Sequence, residues 1–257
     1  MPILLLKLCL VPALIFGVTL AGRRWGPEVA GWLSAFPIVS GPILLAISLE
    51  QGALFGAHAA QGTLLAVIAI LVFSVAYAFA ARRFGMPGAM ACALLAYACA
   101  VAGLQLLSLP IGASFAAVWI ALAVAPRLFP PSETVAAATK PAVNDLPWRM
   151  LAAVLLVLAV TLSAPRIGPR LSGFLAMFPV MSTVLVGFSH VHAGRAFAVA
   201  MLRGMVAGYF AFSMFCLVLS LMLERGAIAP AFLAAFACAL TVQVATRRLL
   251  ASRTPPR

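Results

Sequence analysis

The chain has 257 residues, of which 65% are hydrophobic and 9% charged, and its formal net charge is +12. Apolar runs that approach or exceed the roughly 20 residues needed to cross a bilayer core exclude a soluble globular domain and predict an all-α, polytopic membrane protein. In a soluble chain the charge would suggest nucleic acid. Here the arginines sit in short gaps between apolar runs, where the positive-inside rule accounts for them, so the lipid bilayer is the expected partner and nucleic acid is not.

Periodicity and run length predict nine spans, at residues 3–21, 29–49, 56–81, 88–107, 111–129, 148–164, 171–190, 198–223 and 227–248. The first run resembles a signal peptide with a weak cleavage site at Thr19-Leu20-Ala21. It has an equivalent deep in the chain, starting at Trp148, and is expected to be retained. The fifth span is pinched by Pro110 and Pro126 and is followed by the polar, proline-bearing stretch PPSETVAAATKPAVNDLP, the expected linker between two halves. Cys9, Cys92, Cys99, Cys216 and Cys238 lie in apolar runs without paired spacing and read as small packing residues, with no metal or cofactor expected.

The second and seventh spans carry one motif. Residues 24–40 read RWGPEVAGWLSAFPIVS, and 142 positions later residues 166–182 read RIGPRLSGFLAMFPVMS. Arg24, Gly26, Pro27, Gly31, Leu33, Phe36, Pro37 and Ser40 recur as Arg166, Gly168, Pro169, Gly173, Leu175, Phe178, Pro179 and Ser182. The offset also carries Gly52 to Gly194, Phe55 to Phe197 and Gly62 to Gly204. The chain therefore reads as a tandem duplication: a four-helix repeat at 1–109, a linker helix and loop at 110–147, a second four-helix repeat at 148–250 and a basic tail at 251–257.

Charge tests the count. With nine spans, Arg23, Arg24, Arg82, Arg83, Arg127, Lys140, Arg149, Arg195, Arg247, Arg248, Arg253 and Arg257 share one side, against Arg166, Arg170 and Arg225 on the other. With eight spans the same residues divide almost evenly. Nine spans, N-terminus outside and C-terminus in the cytoplasm, is the predicted topology. Equivalent spans are then an odd number of crossings apart, so the halves are predicted to form an inverted repeat.

Candidate binding residues follow from what is costly in lipid. Pro37, Pro42 and Pro179 lack an amide hydrogen and are expected to free the carbonyls of Leu33, Ile38 and Leu175, which must then find partners. Phe36, Pro37, Ser40, Phe178, Pro179 and Ser182 are thus predicted to line a midplane site on two broken helices; the alternative is a pair of structural kinks. Glu50, the sole acid beside the apolar region, is a candidate proton or cation site with His58 nearby, or an interfacial acid that ends a helix. Arg203, equivalent to Gln61, is an intramembrane cation that either joins the site or snorkels to the interface. His190 and His192 stand opposite Ser48 and Glu50, and their spacing does not favour metal. Phe73, Tyr77, Phe210, Phe212 and Phe215 read as lipid-facing or packing bulk.

In LSGFLAMFPVMSTVLVGFSHVHAGRAF at 171–197 and PAFLAAFACAL at 230–240 the second half resembles the GlpM-type small bacterial inner-membrane proteins associated with alginate production. The resemblance implies a four-helix unit, a multi-pass place in a bacterial inner membrane and a link to envelope polysaccharide; it implies no catalytic residues. Together these features predict a secondary transporter or permease for a small solute, with a non-transporting scaffold for polysaccharide production as the alternative. No catalytic constellation is present to predict an enzyme.

Overall fold

The computed structural model of the chain describes residues 2–38, 40–107, 109–131, 146–163 and 178–251. Among these, all regular structure is helical, in ten α-helices. They are α1 (Pro2–Trp25), α2 (Pro27–Ser34), α3 (Ser40–Gln51), α4 (Ala53–Ala80), α5 (Met86–Gln105), α6 (Ile111–Leu128), α7 (Leu146–Ser163), α8 (Gly187–Ala193), α9 (Arg195–Leu223) and α10 (Ile228–Ala251). A π-helical turn, Ser182–Val186, runs directly into α8.

Five of these helices, α4, α5, α6, α9 and α10, are long and apolar enough to cross a membrane, as in a multi-pass membrane protein. The fifth expected span is thus a continuous helix, with Pro110 capping its start and Pro126 in its last turn. The second expected span is not continuous. It is two helices of 8 and 12 residues, about 12 and 18 Å long, and only together do they match a bilayer core. Much of the linker, residues 164–177 of the sixth and seventh expected spans and most of the tail lie outside the described residues.

The centre of the molecule is the pair α4 and α9. Of their apolar windows 67% and 61% is buried, against 22% to 28% for α5, α6 and α10. Phe73 and Tyr77 of α4 and Phe212 and Phe215 of α9 are fully buried between helices, so this stripe is packing and not lipid-facing. The two helices run antiparallel: Ser220, near the end of α9, donates to the carbonyl of Ala57 at the start of α4 at 3.0 Å. At the other end Tyr77 meets His190, which precedes α9. α5 packs on α4, α10 on α9, and α6 lies across both. Leu95, Ile120, Leu233 and Leu240 face outward from this outer layer, where hydrocarbon would cover them. Cys216 packs in the core as expected, whereas Cys92, Cys99 and Cys238 are exposed on α5 and α10.

Residues 142 positions apart adopt matching local structure. Gly52 (φ 93°, ψ 162°) separates α3 from α4, and Gly194 (φ 87°, ψ 170°) separates α8 from α9. This positive-φ extended conformation is essentially closed to residues with a Cβ, so a glycine at each place ends one helix and starts the next. The first residue of α4, Ala53, corresponds to the first of α9, Arg195.

α2 belongs to the first half of the sequence but packs on α9 in the second. Gly204 and Gly208 of α9 form a small-xxx-small groove in which the backbone of α2 lies against helix backbone. A Cβ at Gly204 would strike the carbonyl of Glu28, one at Gly31 the carbonyl of Met201, and one at Gly208 the carbonyl of Trp32. α10 secures the same helix from another side: Gln243 donates to the Trp32 carbonyl at 2.9 Å, and the Trp32 indole donates to Thr246 at 3.2 Å.

Candidate functional site

Both Phe-Pro pairs form the same turn. The amide of Ile38 donates to the carbonyl of Phe36 at 2.7 Å, and that of Val180 to the carbonyl of Phe178 at 2.6 Å, three-residue turns centred on Pro37 and Pro179. The next helix then starts on the proline carbonyl, which accepts from Gly41 at 2.9 Å in one case and from Thr183 at 2.7 Å in the other. The conformation follows from proline chemistry, since a ring with fixed φ and no N–H cannot continue the helix and suits the centre of such a turn.

Two details of the expected carbonyls change. Leu33 is not left open, because the Phe36 amide closes a tight turn onto its oxygen at 3.3 Å. Pro42 is not inside a helix that it interrupts. It is the third residue of α3, where the N–H has no intrahelical partner in any case, so it frees no carbonyl of that helix. Leu175 lies outside the described residues.

Residues next to the two breaks meet the same stretch of α9. Before the first break Gly31 packs on the backbone at Met201 and Met205, and Ala35 on Gly208. From the second break, the buried Ser182 hydroxyl donates to Met205 Sδ at 3.3 Å. Met205 is ten residues from the start of α9, about 15 Å along a helix of about 43 Å, so the shared stretch is about a third of the way along it. Ser40 is likewise buried. The flanking rings pack on the outer helices: Phe36 lies 6.3 Å from Phe236 of α10 and Phe178 5.9 Å, edge-on, from Tyr97 of α5. No hydrogen bond among the described residues joins one break directly to the other.

The remaining predicted residues are elsewhere. Glu50 is exposed in the last turn of α3, and His58 is exposed on the first turns of α4, so neither faces the breaks. Gln61 and Arg203, each the ninth residue of its helix, hold the two ends of α6. The Gln61 amide donates to the Leu109 carbonyl at 2.7 Å, just before α6. The Arg203 guanidinium donates to the Pro130 carbonyl, just after it, and lies 5.4 Å from the Phe129 ring centre. Arg203 thus has a backbone partner in the segment that leaves α6.

A buried polar cluster was not foreseen. Tyr77 Oη is 2.7 Å from His190 Nδ1, and the rings meet edge to face. Arg149, expected among the loop cations, is only 6% exposed; it lies 3.4 Å from the Ser189 hydroxyl and stacks over Phe188 at 5.4 Å. The signal available in the sequence was His190 itself, a histidine where the first half has Ser48, whose hydroxyl is satisfied locally by the Leu44 carbonyl at 2.8 Å. Comparison with family models, with curated proteins and with solved structures finds no match to this chain.

Proposed function

We propose that the protein is a small secondary transporter whose solute site lies against the first half of α9, around Met205, between the breaks at Phe36-Pro37-Ser40 and Phe178-Pro179-Ser182. The observation that carries this reading is the pair of matching proline turns whose neighbouring residues both contact one buried helix around Met205. Interrupted helices at corresponding places in two halves are the arrangement by which transporters present backbone polar groups to a substrate at mid-membrane. The antiparallel α4 and α9, with matching glycine junctions at their starts, support an inverted repeat. In that reading α1, the α2–α3 segment, α4, α5, α6, α7, the segment ending in α8, α9 and α10 are nine crossings. The N-terminus is then outside and the basic tail in the cytoplasm, at a bacterial inner membrane.

Alternating access is tested without knowing the solute. Single cysteines at Ser40 and Ser182, on a background lacking the five native cysteines, are reacted in liposomes with a membrane-impermeant thiol reagent applied from either side. Labelling of each position from both sides supports the reading. A position that is reached from neither side overturns it.

One observation favours the scaffold reading. Ser182 is partnered by Met205, and Leu33 by Phe36, so these groups at the breaks do not require a ligand. The GlpM resemblance is in keeping with such an accessory role in envelope polysaccharide production. Under it both breaks are rigid kinks, and the labelling experiment gives no reaction at either serine.

A further inference from the structure

Where α4 ends and α9 begins, a cleft of about 70 Å³ opens between the helices, lined by Arg82, Arg195, Arg203, Glu28 and the Pro130–Pro131 turn. Arg195, Val199 and Arg203 are spaced by four and share one face of α9, and Arg203 is about 12 Å deeper than Arg195. The cleft is thus cationic at mouth and floor, with Ala78, Val199 and Ala200 between. α9 also begins here. The positive dipole end of this 29-residue helix is therefore at the same mouth. Arg203 spends one N–H on Pro130, and its buried Nε has no partner among the described residues, which leaves donors on a group that carries five.

We propose that this cleft binds a phosphate group, carried by an anionic lipid headgroup or free in solution. Among the described lining residues three guanidinium groups stand against one carboxylate, a net positive lining, and guanidinium is the side chain whose planar fork matches phosphate oxygens. The volume, several times the roughly 10–15 Å³ of cavity that one water needs, has room for a compact oxyanion whose remaining atoms stay outside. The apolar wall between Arg195 and Arg203 gives the carbon atoms next to such a phosphate a surface to lie on. This inference stands apart from the transport reading, since a scaffold has equal use for a bound lipid.

The test uses full-length protein extracted from phosphatidylcholine vesicles containing phosphatidylglycerol, with retained lipid read by native mass spectrometry, and a parallel thermal-melting titration with inorganic phosphate. Arg82→Gln and Arg195→Gln remove lining charges; Arg83→Gln removes an exposed neighbour outside the cleft. Selective retention of phosphatidylglycerol that falls about fivefold in each lining variant, and stays unchanged in Arg83→Gln, supports a headgroup site. No lipid selectivity, but a phosphate-dependent melting shift with the same variant pattern, supports a free anion. Equal losses in Arg83→Gln, or no response to either probe, overturn the proposal. Arg203→Gln is not the deciding variant, because it also releases Pro130.

Discussion

At Phe36-Pro37 and at Phe178-Pro179 the chain makes the same three-residue turn, yet the helices that follow are different. After Pro37 the residue Ile38 is still in a turn and α3 begins at Ser40, so Pro42 falls in its first turn. After Pro179 helical structure resumes at once, at Val180, and passes through the π turn Ser182–Val186 before α8. The contacts with α9 differ in kind: the first break is preceded by a helix, α2, locked backbone to backbone on α9, and after the second the Ser182 hydroxyl reaches α9 at Met205. The shared proline sets where each segment breaks. The helix-start residues and the contacts on α9 set how firmly each broken segment is held, and π turns inside helices recur at functional sites.

The largest expected effect tests the locked side. Gly31→Leu or Gly204→Leu places a side chain where there is only backbone, which nothing short of separating α2 from α9 relieves. A cost above about 3 kcal/mol is expected, read as loss of monodisperse protein in size exclusion. Gly17→Ala in α1, where a Cβ meets nothing within 4 Å, should leave the yield unchanged. Gly62→Leu sharpens the comparison: Gly62 is buried on α4 at the position equivalent to Gly204, and a comparable loss is expected if α4 receives the second half as α9 receives the first.

Next in size is Val184→Pro, which gives the second break the proline of the first. Residue 184 is the fifth of the helix that resumes at Val180, so the ring meets the carbonyl of residue 180, a clash absent in α3 because residue 38 is not helical. Destabilisation of about 3 kcal/mol is expected from melting in detergent. A neutral result would mean that the π turn already keeps that carbonyl clear.

The clamps on α6 come third. Arg203→Ala removes a charged donor from the Pro130 carbonyl and should cost about 1.5–3 kcal/mol, whereas Gln61→Ala removes a neutral one from Leu109 and should cost about 1 kcal/mol. Melting temperatures of the two variants check the order. Reversal of that order would mean that solvent replaces the guanidinium more readily than the amide.

The sequence made the breaks, the glycine junctions and α6 legible because proline and glycine act on their own backbone, and because a repeat doubles each such signal. Partners set by packing were not legible. Gln61 and Arg203 attracted attention as equivalent polar residues in apolar helices, but their acceptors are backbone carbonyls of residues 109 and 130, and no side-chain type announces a carbonyl. Tyr77 read as bulk because its partner, His190, is 113 residues away. Arg149 was counted with the loop cations because it follows the linker; only packing against Phe188 and Ser189 buries it. Glu50 stood out by rarity, which says nothing of which way a helix end faces.

The smallest effect is expected from Pro42→Val, the converse exchange. Pro42 makes no demand on an N–H, since the first amides of α3 have no partner within the helix, and its ring has no helical carbonyl behind it. Its contribution is the fixed φ, which lowers the entropy of the unfolded chain and favours a regular α-helical start, an effect of about 0.4–1 kcal/mol. The variant should stay folded and melt slightly lower. Its informative readout is the reactivity of a cysteine at residue 40, measured with and without the exchange. If Pro42 is what keeps the first segment regular, the valine variant should bring the rate at residue 40 toward that of a cysteine at residue 182. Unchanged reactivity at residue 40 would assign the difference between the two breaks to the glycine groove on α9 alone.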